Sequence, residues 1–243
     1  MLLNYVEPSF YLGPLTFHLY GLGLVAAILV GLALAHRRAI AKKIEPDLIF
    51  EFAIYAVVGA VVGSRILSVL LNFNLFLADP LYLFRIHEGG LAFLGGLTGG
   101  VLVAIWFVRR RKVKFWAMAD VFAPSLALGE AIARLGCDVY GLHAPSAPWP
   151  RLVGGVPYHN IPLYTMIATL LIFFVLWYLR DRVREGQLFL TYLAGYFAAR
   201  SFIDYFRSEP TFVVFNTAQF SSIVLFAVIL VLIYWREKQM LPS

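Results

Sequence analysis

Two short stretches carry charge where the surrounding chain is apolar. In ALGEAIARLGCDVYGLHA, residues 127–144, Glu130, Arg134 and Asp138 recur every four residues. In ARSFIDYFRSEP, residues 199–210, Arg200, Asp204 and Arg207 stand at i, i+4 and i+7. On a helix each set shares one face. The planar fork of arginine matches a phosphate through two hydrogen bonds. A carboxylate one turn away offsets the cost of burying it. The same spacing also suits a structural ion pair, so the two readings stand side by side. Tyr20 and His18 open an apolar run in GPLTFHLYGLG, residues 13–23, and His159 and Tyr164 open another in PWPRLVGGVPYHNIPLY, residues 148–164. HEGGLAFLGGLTGG, residues 87–100, holds the pairs Gly89–Gly90, Gly95–Gly96 and Gly99–Gly100. Two overlapping GxxxG spacings there suit close helix packing, and a bare backbone also suits a lipid headgroup. The single cysteine, Cys137, excludes an internal disulfide and a multi-cysteine metal site.

The elements that carry these residues are apolar runs. The chain is 61% hydrophobic and 14% charged, and its mean hydropathy is +0.79; a soluble domain is less apolar and carries more charge. Seven runs approach the roughly 20 residues that cross a bilayer: 16–35, 49–71, 89–108, 119–138, 162–179, 187–205 and 218–235. None alternates with period two, which argues against a β-barrel. The expected fold is therefore all-α: a polytopic membrane protein of about seven transmembrane helices, in a single domain over residues 1–243. The start has no basic segment and no small-residue cleavage pattern, so no cleavable signal peptide is expected.

Lysine and arginine cluster after alternate runs: Arg37, Arg38, Lys42 and Lys43; Arg109 to Lys112 and Lys114; Arg180, Arg182 and Arg184; Arg236 and Lys238. Those loops are cytoplasmic by the positive-inside rule, which sets the N-terminus outside and the C-terminus inside. The basic pI near 9.5 is thereby explained by orientation, and no nucleic-acid partner is expected. The basic residues left over are all arginine: Arg65, Arg85, Arg134, Arg151, Arg200 and Arg207. They fall in the outer half of the membrane or just beyond it. Arginine inside a bilayer is costly and faces a bundle interior or a wet cavity. Several of them near one leaflet suit a phospholipid headgroup. Residues 139–161 form an outer loop, read as lid-like or re-entrant.

Together these segments resemble the prolipoprotein diacylglyceryl transferase family nearly end to end. HLYGLG resembles its first-helix segment, and GSRILSVLLNF and DPLYLFRIHEGGLAFLGGLTGG resemble its second helix and its glycine-rich outer loop and helix. ARLGCDVYG falls on the family signature, HNIPLY on a His-Pro-x-Gln-Leu-Tyr-Glu segment, and ARSFIDYFRSEP on its Phe-Arg-x-x-x-Glu-x-Phe-Arg segment. The resemblance implies a bacterial inner-membrane enzyme without cofactor or metal. Phosphatidylglycerol would donate its diacylglyceryl group to the lipobox cysteine thiol of a prolipoprotein signal-peptide region, with membrane lipids around it. It implies Arg134, Arg200 and Tyr20 as catalytic residues. Substrate binding would fall to Arg134, Arg207, Asp204, Gly89, Gly90, Gly95, Gly96, His159 and Tyr164.

The chain departs from the family pattern at several polar positions. The family histidine falls on Leu94, signature asparagines on Cys137 and Tyr140, and a glutamate on Leu142. A signature glycine is Ala133, and Pro162 and Thr165 replace a glutamine and a glutamate. His87, His159 and Asp138 are the replacement bases expected by location. The alternative is a divergent paralogue that binds phospholipid, or transfers to another acceptor, without the usual activity.

Overall fold

The structure, a computed structural model, describes residues 9–12, 15–79, 92–207, 211–212 and 215–240. Helices occupy all seven apolar runs: α1 (Leu19–Ala41), α2 (Asp47–Leu71), α4 (Phe93–Arg110), α5 (Phe115–Ala133), α6 (Ile161–Leu179), α7 (Gln187–Ile203) and α8 (Thr217–Met240). A short α3 (Phe73–Ala78) follows α2. Five helical segments are long and apolar enough to cross a membrane: Leu19–Ala41, Asp47–Leu71, Phe115–Gly136, Ile161–Leu179 and Gln219–Lys238. Their flanks expose large apolar side chains such as Leu29, Ile54, Leu171 and Phe220, as a lipid-facing surface does. The chain is a multi-pass membrane protein.

The sequence pattern did not indicate three short antiparallel ladders. They pair β1 (Ser9–Leu12) with β2 (Leu15–His18), β3 (Arg151–Val153) with β4 (Val156–Tyr158), and β5 (Thr211–Phe212) with β6 (Phe215–Asn216). Strands of two to four residues are too short to leave a period-two signal. The β3–β4 hairpin turns through Gly154 and Gly155, both at positive φ, and it lies in the segment between α5 and α6.

The chain divides into two compact units, Met1–Ala35 with Ala119–Ser243, and His36–Met118. In the second unit α2 and α4 pack at very close range. A Cβ on Gly63 would run into the Gly95 carbonyl oxygen, and one on Gly95 into that of Gly63. One turn away a Cβ on Gly99 would run into the Gly59 carbonyl oxygen, and one on Gly59 into the Val103 side chain. Two GxxxG stripes thus face each other, and only glycine admits that approach. At the far end Arg111 pairs with Glu51, which raises the guanidinium pKa above its ordinary value through hydrogen bonding and charge.

In the first unit α5, α6 and α7 share a core of Ala123, Ala127, Leu176 and Leu188. Asp120 of α5 fastens the start of α7, accepting from Gly186 N at 2.5 Å and Phe189 N at 2.8 Å. These are amides that a helix start leaves unpaired. Gly186 sits at φ 87°, a conformation that favours glycine.

Candidate functional site

Arg134 opens a 3₁₀ turn, Arg134–Gly136, directly after α5. At its end Gly136 lies against the backbone of Leu19 and Tyr20, where a Cβ has no room. That close approach fixes Tyr20 of α1 beside the arginine-bearing turn. The turn also packs against α6.

The Arg134 guanidinium is held along one edge. Nε and Nη2 donate to Glu130 Oε1 at 3.0 and 2.5 Å, the i, i+4 pair that the spacing predicts. Among the described residues Nη1 reaches only the Cys137 sulfur, at 3.8 Å, a weak acceptor. One corner of the fork is thus free for a stronger acceptor.

The expected third member of that face is elsewhere. Asp138 does not continue the helix, since Cys137 turns extended (φ −83°, ψ 133°). Asp138 pairs instead with Arg151 of β3. The α-helix ends at Ala133, five residues before Asp138, so Glu130, Arg134 and Asp138 are not on one face.

The second arginine set forms around one carboxylate. Asp204, fully buried, lies 2.9 Å from Arg200 Nε and 3.5 Å from Arg207 Nη1. Arg200 makes this contact through Nε, so its two Nη groups face no protein acceptor among the described residues. Tyr196, one turn before Arg200 on α7, lies within electrostatic range of Glu130, Arg134, Arg200 and Asp204. Tyr192 lies within range of Glu130 and Tyr196. The two arginine clusters therefore belong to one neighbourhood. Sequence reading missed both tyrosines, although Tyr192, Tyr196, Arg200 and Asp204 recur every four residues.

His159 and Tyr164 form a third group. His159 Nδ1 lies 3.2 Å from the Tyr164 hydroxyl, which is also 3.3 Å from Pro148 O. The His159 ring rests 4.5 Å, centroid to centroid, from Phe206, in the 3₁₀ turn that begins with Asp204. Backbone bonds tie the group together: Gly141 N donates to His159 O at 2.9 Å and Leu142 N to Phe206 O at 2.8 Å. A Cβ on Gly141 would strike Phe206 O. Burial lowers the His159 pKa, so the imidazole is neutral near pH 7 and able to accept a proton.

Gly95 and Gly96 belong to the other unit, where Gly95 is accounted for by packing against Gly63. Leu94 is exposed near the start of α4. Gly89 and Gly90 lie outside the described residues, as do Arg85 and His87. Thr165, at the position of a family glutamate, donates its hydroxyl to Ile161 O at 2.9 Å. Among the described residues no three His, Cys, Asp or Glu side chains gather as metal ligands.

The arrangement can do one thing well. Two guanidiniums, each with unspent Nη donors, are steadied by carboxylates on their other edges. That suits a phosphate or phosphodiester, which takes paired N–H donors.

Comparison with known proteins agrees. The model of the family described as prolipoprotein diacylglyceryl transferase matches residues 8–235. A phosphatidylglycerol–prolipoprotein diacylglyceryl transferase of Oceanobacillus iheyensis is 34% identical over 93% of this chain and 86% of its own length. One from a Nostoc species is 33% identical over 82% and 77%, and one from Halalkalibacterium halodurans is 32% identical over 96% and 86%. With the arginine clusters, these matches show that the chain belongs to the prolipoprotein diacylglyceryl transferase family.

Proposed function

We propose that the chain transfers the diacylglyceryl group of phosphatidylglycerol to the lipobox cysteine thiol of a prolipoprotein. The acceptor sulfur forms a bond to the terminal glycerol carbon of the diacylglyceryl group. The bond from that carbon to the phosphate oxygen breaks, glycerol phosphate leaves, and the thiol proton passes to a base. The half-engaged forks of Arg134 and Arg200 carry this reading. They bind the phosphodiester and stabilise the second negative charge that develops on the departing phosphate. Glu130 and Asp204 hold the forks in place, and Arg207 adds charge through Asp204. Tyr20, set beside the Arg134 turn, completes the wall.

His159 is the base that its neutral imidazole favours, with Tyr164 orienting it. The whole chain works as one transferase domain in the bacterial inner membrane. We infer that α4 and α7 cross the bilayer with the other five helices. The N-terminus is then outside, and the arginine clusters face the outer leaflet.

A transfer assay tests this. The purified protein receives phosphatidylglycerol and a synthetic lipobox peptide, and glycerol phosphate release is followed beside Arg134→Ala and Leu94→His. Release by the wild type that vanishes in Arg134→Ala supports the transferase. Release only after Leu94→His means a scaffold that has lost its base. Retained phosphatidylglycerol with no release from either favours the paralogue that binds lipid without the chemistry.

A further inference from the structure

The β3–β4 hairpin links the end of α5, where Arg134 opens its turn, to the start of α6. Its turn has positive φ at both Gly154 and Gly155, the two-residue form that closes tight hairpins. Such a turn makes its flanking residues, Val153 and Val156, a hydrogen-bonded pair. Pairing alternates along an antiparallel ladder. Arg151 and Tyr158 are therefore the next bonded pair, and Leu152 and Pro157 between them do not bond each other. Pro157 has no N–H to give, and its carbonyl oxygen accepts from Ala144 N at 2.9 Å on the far side of β4. By the same alternation the N–H and C=O of Leu152 point away from β4. Among the described residues neither has a backbone partner. β4 is thus covered along both edges, and β3 along one.

That open edge is unsuited to lipid, because unpaired main-chain groups are costly in hydrocarbon. In water an open edge is a template for another extended chain. Pro150 stands just ahead of the strand and the glycine turn closes it, so only a short segment can pair. Leu152 is 67% exposed and Trp149 is 68% exposed, which offers apolar contact to the side chains of such a segment. The hairpin is also tied to the transfer site through both strands. Arg151 of β3 pairs with Asp138, and β4 runs directly into His159.

We propose that the outer edge of β3 holds the acceptor peptide as a third strand, with Leu152 pairing to main chain about three or four residues beyond the acceptor cysteine. The proposal rests on the reading of Arg134, Arg200 and His159 as the transfer site. Spacing agrees with it. A strand paired to β3 lies two strand spacings, about 10 Å, from β4. Leu152 stands opposite Pro157, two residues short of His159, or about 7 Å along the ladder. About three or four residues of extended chain span that diagonal of about 12 Å. On the orientation proposed above, the hairpin also stands where the chain that follows the cysteine leaves the membrane. Main-chain pairing grips a segment whatever its side chains, so one edge serves acceptors that differ after the cysteine.

The test uses the full chain in detergent with phosphatidylglycerol and a set of lipobox peptides. In each peptide one residue, from the second to the fifth after the cysteine, has its amide N–H replaced by N-methyl or by an ester oxygen. Fluorescence anisotropy of the labelled peptide reads binding, and glycerol phosphate release reads kcat/KM. One position is expected to lose about fivefold in both readouts and in both chemical series, while its neighbours lose less than about twofold. Leu152→Pro removes the pairing N–H at an edge position that tolerates proline. It raises the peptide KM about fivefold, removes the difference between positions, and leaves the phosphatidylglycerol KM unchanged. Leu152→Ala retains the edge and the one-position pattern, which keeps the test open if the proline variant does not fold. An even response at every position overturns the pairing and leaves Leu152 and Trp149 to the membrane surface. A folded Leu152→Pro that binds peptide as the wild type does overturns it as well. A wild type that binds with the one-position pattern but releases no glycerol phosphate overturns the transferase reading and leaves the pairing standing.

Discussion

Arg134 and Arg200 are each gripped on one edge and open on another, and this asymmetry is what makes them useful. An arginine whose donors were all spent on carboxylates would be a strut. One with none spent would carry an uncompensated charge in a costly place. The free edges give a direct expectation. Arg200→Lys keeps the charge but loses the planar fork. Transfer efficiency, read as kcat/KM, is expected to fall about 10²- to 10³-fold, while lipid retention falls much less. Equal losses in both would assign Arg200 to ground-state binding. At this scale part of the site is legible in the sequence. Glu130 with Arg134, and Arg200 with Asp204, announce themselves by four-residue spacing. The pairing of Asp138 with Arg151 does not, because it depends on where the chain stops being helical. Near that stop Gly136 lies against the backbone of Leu19 and Tyr20, a contact more than a hundred residues away in sequence.

At the scale of elements, Asp120 joins α5 to the start of α7 by accepting two hydrogen bonds from backbone amides. A side chain that caps a neighbouring helix has no signature in local sequence, since its partners lie 66 and 69 residues on. Asp120→Ala leaves two buried-end amides unmet and is expected to cost about 1–2 kcal/mol, seen as a lower thermal midpoint in detergent. Asp120→Asn recovers part of the loss, because its one carbonyl oxygen can still accept a bond. The glycines separate into two kinds at this scale. Those of α2 and α4 leave no room for a Cβ, whereas a Cβ at 31 or 129 would stand in ordinary contact with the backbone of the facing helix. GxxxG spacing indicated the first kind at Gly95 and Gly99. Only the geometry of neighbouring atoms distinguishes the second.

For the whole molecule, hydropathy alone placed the helices, because lipid demands long apolar segments and the chain has little else. The three short ladders, and the packing of Phe206 on His159 and Tyr164, escaped notice for the opposite reason. They are built from mixed polar loops in which no period survives. That group gives the protein a pH response. Burial holds the His159 pKa below its ordinary 6.5, so folding favours the neutral ring. The resulting stability is fully present above pH 6.5 and is lost as pH falls toward the lower folded value, where the unfolded chain takes up a proton first. Thermal midpoints followed from about pH 8 to about pH 5 are expected to drop more steeply in the wild type than in His159→Gln. Parallel curves would show that the imidazole does not contribute.

Cys137 is the only thiol in the chain, and it is buried with its sulfur 3.8 Å from Arg134 Nη1. The protein thus carries a built-in clock for its own occupancy. A thiol-directed alkylating reagent can mark one atom only, and it must wait for that corner to open. A phosphodiester seated on Nη1 keeps the corner shut. The mass gain over time, with and without saturating phosphatidylglycerol, is then a binding measurement that needs no engineered label. A slower gain with lipid places the headgroup at Arg134, and an unchanged rate places it elsewhere.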